Sequence, residues 1–208
     1  MKRLFLIRHG ETEWNAQNRV QGSVDVPLSA RGLEQAEALG AFLGRQARAF
    51  GRVYSSDLAR ARETARILAG HLGAPGPEVT PLLREIHCGE WEGRSADELR
   101  TVHREAYDRW RGRPDVACPG GESVLDVRSR VARFLEEQAP ALAPHENVLV
   151  VAHGLINRLF LSVLLGLPAQ ESRYFLQDNT ALNLFEWGRT QVHLRAWNSR
   201  PHDGGPPC

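Results

Sequence analysis

The chain predicts an α/β fold, a three-layer α/β/α sandwich with a mostly parallel central sheet, and two observations carry that expectation. Short apolar runs with strand character alternate with stretches whose apolar residues recur every three or four positions, the order expected where helices cover a parallel sheet. One local pattern also occurs twice. An apolar run leads straight into His-Gly at Leu4-Phe5-Leu6-Ile7-Arg8-His9-Gly10 and again at Val148-Leu149-Val150-Val151-Ala152-His153-Gly154. In an open parallel sheet the carboxyl ends of strands line the crevice where ligands bind, and a glycine just beyond lets the backbone turn sharply and approach a ligand closely. Two imidazoles delivered in this way meet across one cleft, which predicts a two-histidine active site.

After the first strand, a helix begins with Ser29 as N-cap and a staple between Leu28 and Leu33, and Leu33, Ala36, Gly40, Leu43 and Ala47 share one face. Val53-Tyr54 is a short strand, followed by a helix marked by Leu58, Ala61, Ala65, Leu68 and Leu72 and capped near Ser56 or Asp57. A third helical stretch, Val124, Val127, Val131 and Phe134, follows Gly120-Gly121-Glu122-Ser123. The segment from Leu155 to Leu165 is apolar nearly all round, which suits a buried helix, and it stops at Gly166 with Pro168 beyond. Residues 181–187 and 192–197 form a final hairpin. Between these elements, 94–120 is an excursion of short helices over the crevice mouth, with Arg94, Arg100, Arg104, Arg109, Arg111 and Arg113 beside Tyr107 and Trp110. Residues 1–198 are expected to form one domain, and 199–208, rich in proline and glycine, a disordered tail.

With 208 residues, 42% of them hydrophobic, the chain can bury a full core. Its 26 basic and 25 acidic side chains balance, with Lys2 the one lysine and no basic run, so nucleic acid is not an expected partner. Cys88, Cys118 and Cys208 are an odd number without metal-type spacing, which argues against a disulfide framework and for a reducing cytoplasm. No cleavable leader opens the chain, and no run approaches the ~18 apolar residues of a membrane span. The hairpin edge, where Val192, Leu194 and Ala196 alternate with His193 and Arg195, suits either a homodimer or a monomer with that edge in solvent.

Arg8 precedes His9, and Arg60 sits about one turn into the helix after the Val53-Tyr54 strand, within reach of the strand ends. Guanidinium groups favour a dianion. A phosphoryl group suits such a site, because its transition state spreads charge over three equatorial oxygens that fixed cations stabilise. Arg62, about 200° further round the helix, points away. A two-histidine metal centre is the rival, but arginine beside a ligating imidazole opposes metal binding, and neither His-x-His nor His-x-x-x-His spacing occurs. No metal or other cofactor is expected. Read from spacing alone, Glu85 is an ordinary solvated carboxylate, with Glu11, Glu13, Glu90 and Glu92 as nearby alternatives for an acid. His71, His103, His145, His193 and His202 are expected at the surface, His87 in a surface or packing role, Trp14 and Trp91 in the core, and Cys88 as a small buried residue.

Six blocks taken in order carry a family resemblance: Arg8-His9-Gly10-Glu11-Thr12-Glu13-Trp14-Asn15, Asp25 to Gly32, Ser55 to Ala65, Leu83-Arg84-Glu85 with Gly89 to Gly93, Pro119 to Ser123, and Val151-Ala152-His153-Gly154. Over residues 2–197 the chain resembles the histidine phosphatase superfamily, also called phosphoglycerate mutase-like. The resemblance implies that His9 is the nucleophile and becomes phosphohistidine, and that Arg8, Arg60, His153, Asn15 and the backbone at Gly154 surround the phosphoryl oxygens. It further implies that Glu85 protonates the leaving alkoxide and later takes a proton from water. His153 would work protonated and His9 neutral, the latter fixed by a hydrogen bond from its other ring nitrogen to a backbone carbonyl. The short segment between Gly93 and Gly120 lacks the adjacent arginine pair of the mutases. The blocks are more similar to the small phosphatases, which implies a metal-independent phosphomonoesterase acting on a small phosphorylated metabolite. A phosphoglycerate mutase is the second reading, and a catalytically silent phospholigand-binding module the third.

Overall fold

In the computed structural model, which describes residues 2–46, 48–138, 145–188 and 191–204, six strands form one sheet. They are β1 (Lys2–Arg8), β2 (Arg52–Ser56), β3 (Glu78–Thr80), β4 (Asn147–Ala152), β5 (Leu182–Trp187) and β6 (Val192–Ser199), in the order β3-β2-β4-β1-β5-β6. The first four strands are parallel, and the final hairpin adds β5 and β6 antiparallel beside β1. Central parallel strands are covered on both faces. That is why β1 and β4 are unbroken apolar runs, with Leu4 to Ile7 and Val148 to Ala152 all buried.

Seven helices accompany the sheet: α1 (Glu13–Ala16), α2 (Ala30–Gly44), α3 (Ala59–Leu72), α4 (Ala96–Thr101), α5 (Arg104–Gly112), α6 (Val124–Gln138) and α7 (Gly154–Leu165). The period-two alternation of strands divides the core in two. Phe5, Ile7, Leu149 and Val151 pack with Leu39 and Leu43 of α2 and Ala61, Ala65 and Leu68 of α3. Leu4, Leu6, Val148 and Val150 pack with Val127, Val131 and Phe134 of α6 and Ile156, Leu159 and Phe160 of α7. The result is the three-layer α/β/α sandwich. Helix α7 ends as expected, with Gly166 at φ 69°. In the excursion, α5 stacks Tyr107 on Trp110, and both meet buried Trp91 edge-on.

Three local expectations are corrected. Ser29 caps α2 by accepting from Gly32 N at 3.1 Å, but Leu33 is 40% exposed and the buried face runs through Gly32, Gln35, Ala36, Leu39, Gly40 and Leu43. The cause is a glycine contact: a Cβ on Gly32 would lie 2.0 Å from the Glu11 carbonyl oxygen, and one on Gly10 2.4 Å from that of Gly32. Pressing residue 32 inward turns residue 33, about 100° on, toward solvent, where it lines an open groove with Leu28 and Val79. Ala47 lies outside the described residues.

The N-cap of α3 is Leu58, which offers no side-chain cap. Ser56 Oγ accepts from Leu58 N at 3.2 Å, and Asp25, far away in sequence, takes the first helical amide, Ala59 N, at 2.6 Å. Asp57 is engaged instead by Arg84.

The tail is ordered further than expected. β6 runs through Ser199, and Pro201–Asp203 forms a 3-10 turn. Polar partners hold it: Arg200 pairs with Asp178 at 3.5 Å, and His202 Nε2 meets Thr180 Oγ at 3.0 Å. His202 is therefore half-buried rather than a surface histidine. Residues 205–208 lie outside the described residues. Among the described residues no helix is long and apolar enough to cross a membrane.

Candidate active site

The repeated His-Gly pattern has a direct structural basis. Parallel β1 and β4 are neighbours in register, Arg8 opposite Ala152, so the next residue of each, His9 and His153, leaves the sheet at the same edge. Their rings lie 5.1 Å apart, centroid to centroid. His9 N donates to Ala152 O at 3.0 Å, and on the other side Asn179 Nδ2 donates to His9 O at 3.0 Å. The Asp178–Thr180 turn that carries Asn179 is braced by the C-terminal segment just described, so the tail supports the first histidine.

The His9 ring is oriented by its own loop. Nδ1 lies 2.6 Å from Gly10 O, and a carbonyl oxygen can only accept, so Nδ1 carries the proton and Nε2 keeps its lone pair in the neutral ring. Burial, then Arg60 and Arg8, push the His9 pKa well below the ordinary imidazole value. Gly10 N is tied to Thr64 Oγ1 of α3 at 3.0 Å.

The cations are held by carbonyl oxygens. Arg60 is 1% exposed and donates to Val24 O at 2.7 Å and Gly22 O at 2.9 Å, while Arg8 Nη1 donates to Gln177 O. Desolvation lowers the Arg60 pKa to about 10, so the group stays charged at neutral pH. Arg62 is exposed on the outer face of α3, as its spacing predicts. Beside His9, four buried nitrogens have no hydrogen-bond partner: Arg8 Nε, Arg60 Nε and both ring nitrogens of His153. Buried polar nitrogens are rarely left unpaired, because each costs about 1–3 kcal/mol. Their convergence beside His9 defines a site for an oxyanion.

Burial, then Arg60, His9, Arg8 and Arg130, hold the His153 pKa well below the ordinary value, and a bound dianion would raise it, as expected of a group that works protonated.

Glu85 lines one cleft with His9, whereas the alternative carboxylates do not. Its Oε2 accepts from Leu155 N, in the first turn of α7, at 3.1 Å, and its Oε1 from Ile86 N at 3.0 Å. A Cβ on Gly154 would touch both Arg8 Nε (3.8 Å) and Glu85 Oε2 (4.0 Å), so this glycine keeps open the space between cation and acid. Asn15 lines the same cleft. Its Oδ1 is engaged by Thr12 N at 3.2 Å and Asn179 Nδ2 at 3.3 Å, which leaves the Asn15 amide as a donor. Glu92 is structural: Oε1 takes Ser23 N at 2.7 Å, Cys88 N at 3.1 Å and His87 Nδ1 at 3.1 Å, clamping the loop whose carbonyls hold Arg60. Glu13 and Glu90 are exposed, and Glu11 reaches Ser29 Oγ at 3.5 Å.

The cleft has a volume of about 410 Å³ and is lined by Arg8, His9, Asn15, Arg60, Glu85 and Gly154, while His153 is fully buried at 0% exposure. Three contributors escape sequence reading. The carbonyls of Gly22, Val24 and Gln177 leave no trace in residue type. Arg158 also lines the cleft, and its signal was present as the lone charge within an otherwise apolar helix. Among the described residues no group of three or more His, Cys, Asp or Glu side chains is arranged to hold a metal ion.

Comparison with known proteins agrees with this geometry. The profile of the histidine phosphatase superfamily (branch 1) matches residues 4–200. A curated relative, "Probable phosphoglycerate mutase GpmB" of Salmonella paratyphi B, is 36% identical over 203 residues, covering 95% of this chain and 90% of that protein. The alpha-ribazole phosphatase of Shigella flexneri superposes with a TM-score of 0.84 at 33% identity, covering 95% of this chain and 96% of that one. The mycobacterial glucosyl-3-phosphoglycerate phosphatase in complex with VO3 superposes at 0.86 with 30% identity, covering 95% and 99%. With a profile match over almost its whole length, this chain belongs to branch 1 of the histidine phosphatase superfamily.

Proposed function

We propose that the protein is a metal-independent phosphomonoesterase that hydrolyses a small phosphorylated metabolite through phosphohistidine at His9. The observation that carries this reading is the set of unpaired buried donors on Arg8, Arg60 and His153 around an imidazole whose Nε2 is left with its lone pair. His9 Nε2 attacks phosphorus in line, an N–P bond forms, and the ester P–O bond breaks. Glu85, protonated, gives its proton to the departing alkoxide. Water then attacks the phosphohistidine, its proton passes to the Glu85 carboxylate, and the N–P bond breaks to return neutral His9 and inorganic phosphate. Arg8, Arg60, Asn15 and the Gly154 backbone stabilise the equatorial oxygens throughout, and His153 does so once the dianion has raised its pKa.

The solved relatives bearing phosphatase names support hydrolysis over transfer, while the curated Salmonella relative supports a mutase as the second reading. The free Cys88 and Cys118 thiols, buried against one another, fit a reducing cytoplasmic compartment.

The test is acid-quenched labelling with a phosphomonoester in the presence of chelator. The wild-type chain should give an acid-labile phosphoenzyme and free phosphate, and His9→Ala neither; labelling retained in that variant refutes the nucleophile. Glu85→Gln should lose far more rate on alkyl than on aryl esters. Production of 2-phosphoglycerate from 3-phosphoglycerate with a bisphosphoglycerate primer, without free phosphate, would establish the mutase.

A further inference from the structure

Beside the phosphate cleft lies a second cavity of about 270 Å³, and the two share Trp110, Leu155, Arg158 and Arg173 as walls. Its lining holds four arginines and no carboxylate. Arg100 is neutralised by Asp97 at 3.1 Å. Arg173 donates to the Arg111 carbonyl at 2.7 Å and to the Tyr174 hydroxyl at 2.8 Å, and Arg111 lies over the Tyr107 ring.

Arg158 is different. Projecting from apolar α7, it uses Nε to reach Gly154 O at 3.2 Å, and among the described residues its two Nη groups have neither hydrogen-bond nor ion-pair partners. Burial lowers its pKa, and the field of Glu85 is the opposing influence. Arg158 is part-exposed, so its free Nη edge stands open where the two cavities meet. The facing wall is flat and aromatic, with Trp110 stacked on Tyr107 at 6.0 Å and the Trp110 indole N–H buried without a partner.

Building on the phosphomonoesterase reading, we propose that the second cavity is the leaving-group subsite and that Arg158 is its specificity determinant. The substrate class is then a phosphomonoester whose alcohol carries a second anionic group, a carboxylate or a further phosphate. The ester phosphate occupies the His9 cleft, and the alcohol crosses between Leu155 and Trp110. Its distal anion pairs with the free edge of the Arg158 guanidinium, with Arg111 and Arg173 adding to the field. An alcohol lacking that anion leaves Arg158 unpaired and forfeits the charge-assisted contact, worth about 10- to 100-fold in affinity.

The experiment compares 3-phosphoglycerate with glycerol 1-phosphate, which replaces the carboxylate by a hydroxymethyl group, with 2,3-bisphosphoglycerate as the phosphate arm. Dissociation constants are measured by calorimetry at about 0.15 M salt, to screen long-range charge, on His9→Ala, on His9→Ala/Arg158→Met and on His9→Ala/Arg62→Met. The first protein should prefer at least one of the two esters with an anionic alcohol over glycerol 1-phosphate by about 10-fold or more. Arg158→Met should bring that ratio to within about two-fold of unity, whereas Arg62→Met, which deletes an equal charge on the outer face of α3, should preserve it. The better of the two anionic arms identifies carboxylate or phosphate. Equal binding of all three esters, or a preference that survives Arg158→Met, overturns the assignment. Because His9→Ala does not turn over, these ratios stand apart from phosphate release by the wild-type chain, whose absence would sink the phosphatase reading instead.

Discussion

Two buried imidazoles make the protein sensitive to mild acid. The pKa values of His9 and His153 lie well below that of an exposed imidazole, through burial first and then through Arg60 and its neighbours. The unfolded chain therefore binds both protons more tightly than the folded one. For a group depressed in the folded state, stability is complete above the unfolded pKa and drains away as pH falls below it. With an unfolded value of about 6.5, each imidazole that stays neutral in the fold costs about 1.4 kcal/mol between about pH 7.5 and 5.5, hence ~2.7 kcal/mol for the pair. Urea unfolding of the wild-type chain at those two pH values should show that loss, and His153→Gln should reduce it by about 1.4 kcal/mol. Half-buried His202, whose pKa burial also lowers, contributes equally to both proteins and cancels in the difference. An identical pH dependence in wild type and His153→Gln would mean that His153 is charged in the empty fold, which refutes the electrostatic reasoning.

Three further substitutions test the supports of the site. Glu92→Ala removes the carboxylate that takes Ser23 N, Cys88 N and His87 Nδ1; it should cost about 2 kcal/mol in urea unfolding and weaken competitive inhibition by inorganic phosphate, since the freed loop carries the carbonyls that hold Arg60. Gly32→Ala sets a Cβ 2.0 Å from the Glu11 carbonyl oxygen and should cost about 3 kcal/mol or more, seen as a large fall in melting temperature. Asp25→Ala deletes the distant cap on Ala59 N and should cost about 1 kcal/mol with little change in turnover, also read by thermal unfolding.

The parts of the site that were readable in the sequence are those in which residue type and local pattern coincide. Apolar β1 and β4 each ending in His-Gly announce two strand ends at one crevice, and only their neighbouring register, Arg8 opposite Ala152, remained for the structure. The distance between Arg60 and Arg62 was readable because two residues on a helix point to opposite sides. Glu85 was recognisable through family resemblance and not through spacing, since a carboxylate after a short apolar run is common. What stayed hidden depends on backbone or on distant pairs. The cap of α3 comes from Asp25, across the fold. The inward turn of α2 comes from the contact between Gly10 and Gly32, which a hydrophobic stripe cannot report. The order of residues 199–204 follows from Asp178 and Thr180 waiting near the sheet edge for Arg200 and His202, while composition alone, rich in Gly and Pro, argues the opposite.

The way in which the charges are anchored explains why the site remains available to an anion. A carboxylate would hold Arg8 and Arg60 as firmly as carbonyl oxygens do, but it would also cancel their charge and compete with phosphate. Here the guanidinium groups are placed by Gln177 O, Val24 O and Gly22 O, which orient without neutralising. The nearby acid, Glu85, is itself tied to two backbone amides, Ile86 N and Leu155 N, and so is kept from collapsing onto the arginines as an ion pair. Burial, reinforced by the field of Arg60 and Arg8, depresses both histidines, which keeps His9 unprotonated, as the proposed nucleophile must be. A phosphoryl dianion supplies the missing countercharge to all four groups at once. Its binding therefore adds to fold stability, by about 2.7 kcal/mol at a hundred times its dissociation constant, and draws a proton onto His153 in the same step. Inorganic phosphate should accordingly flatten the acid sensitivity of the wild-type chain more than that of His153→Gln.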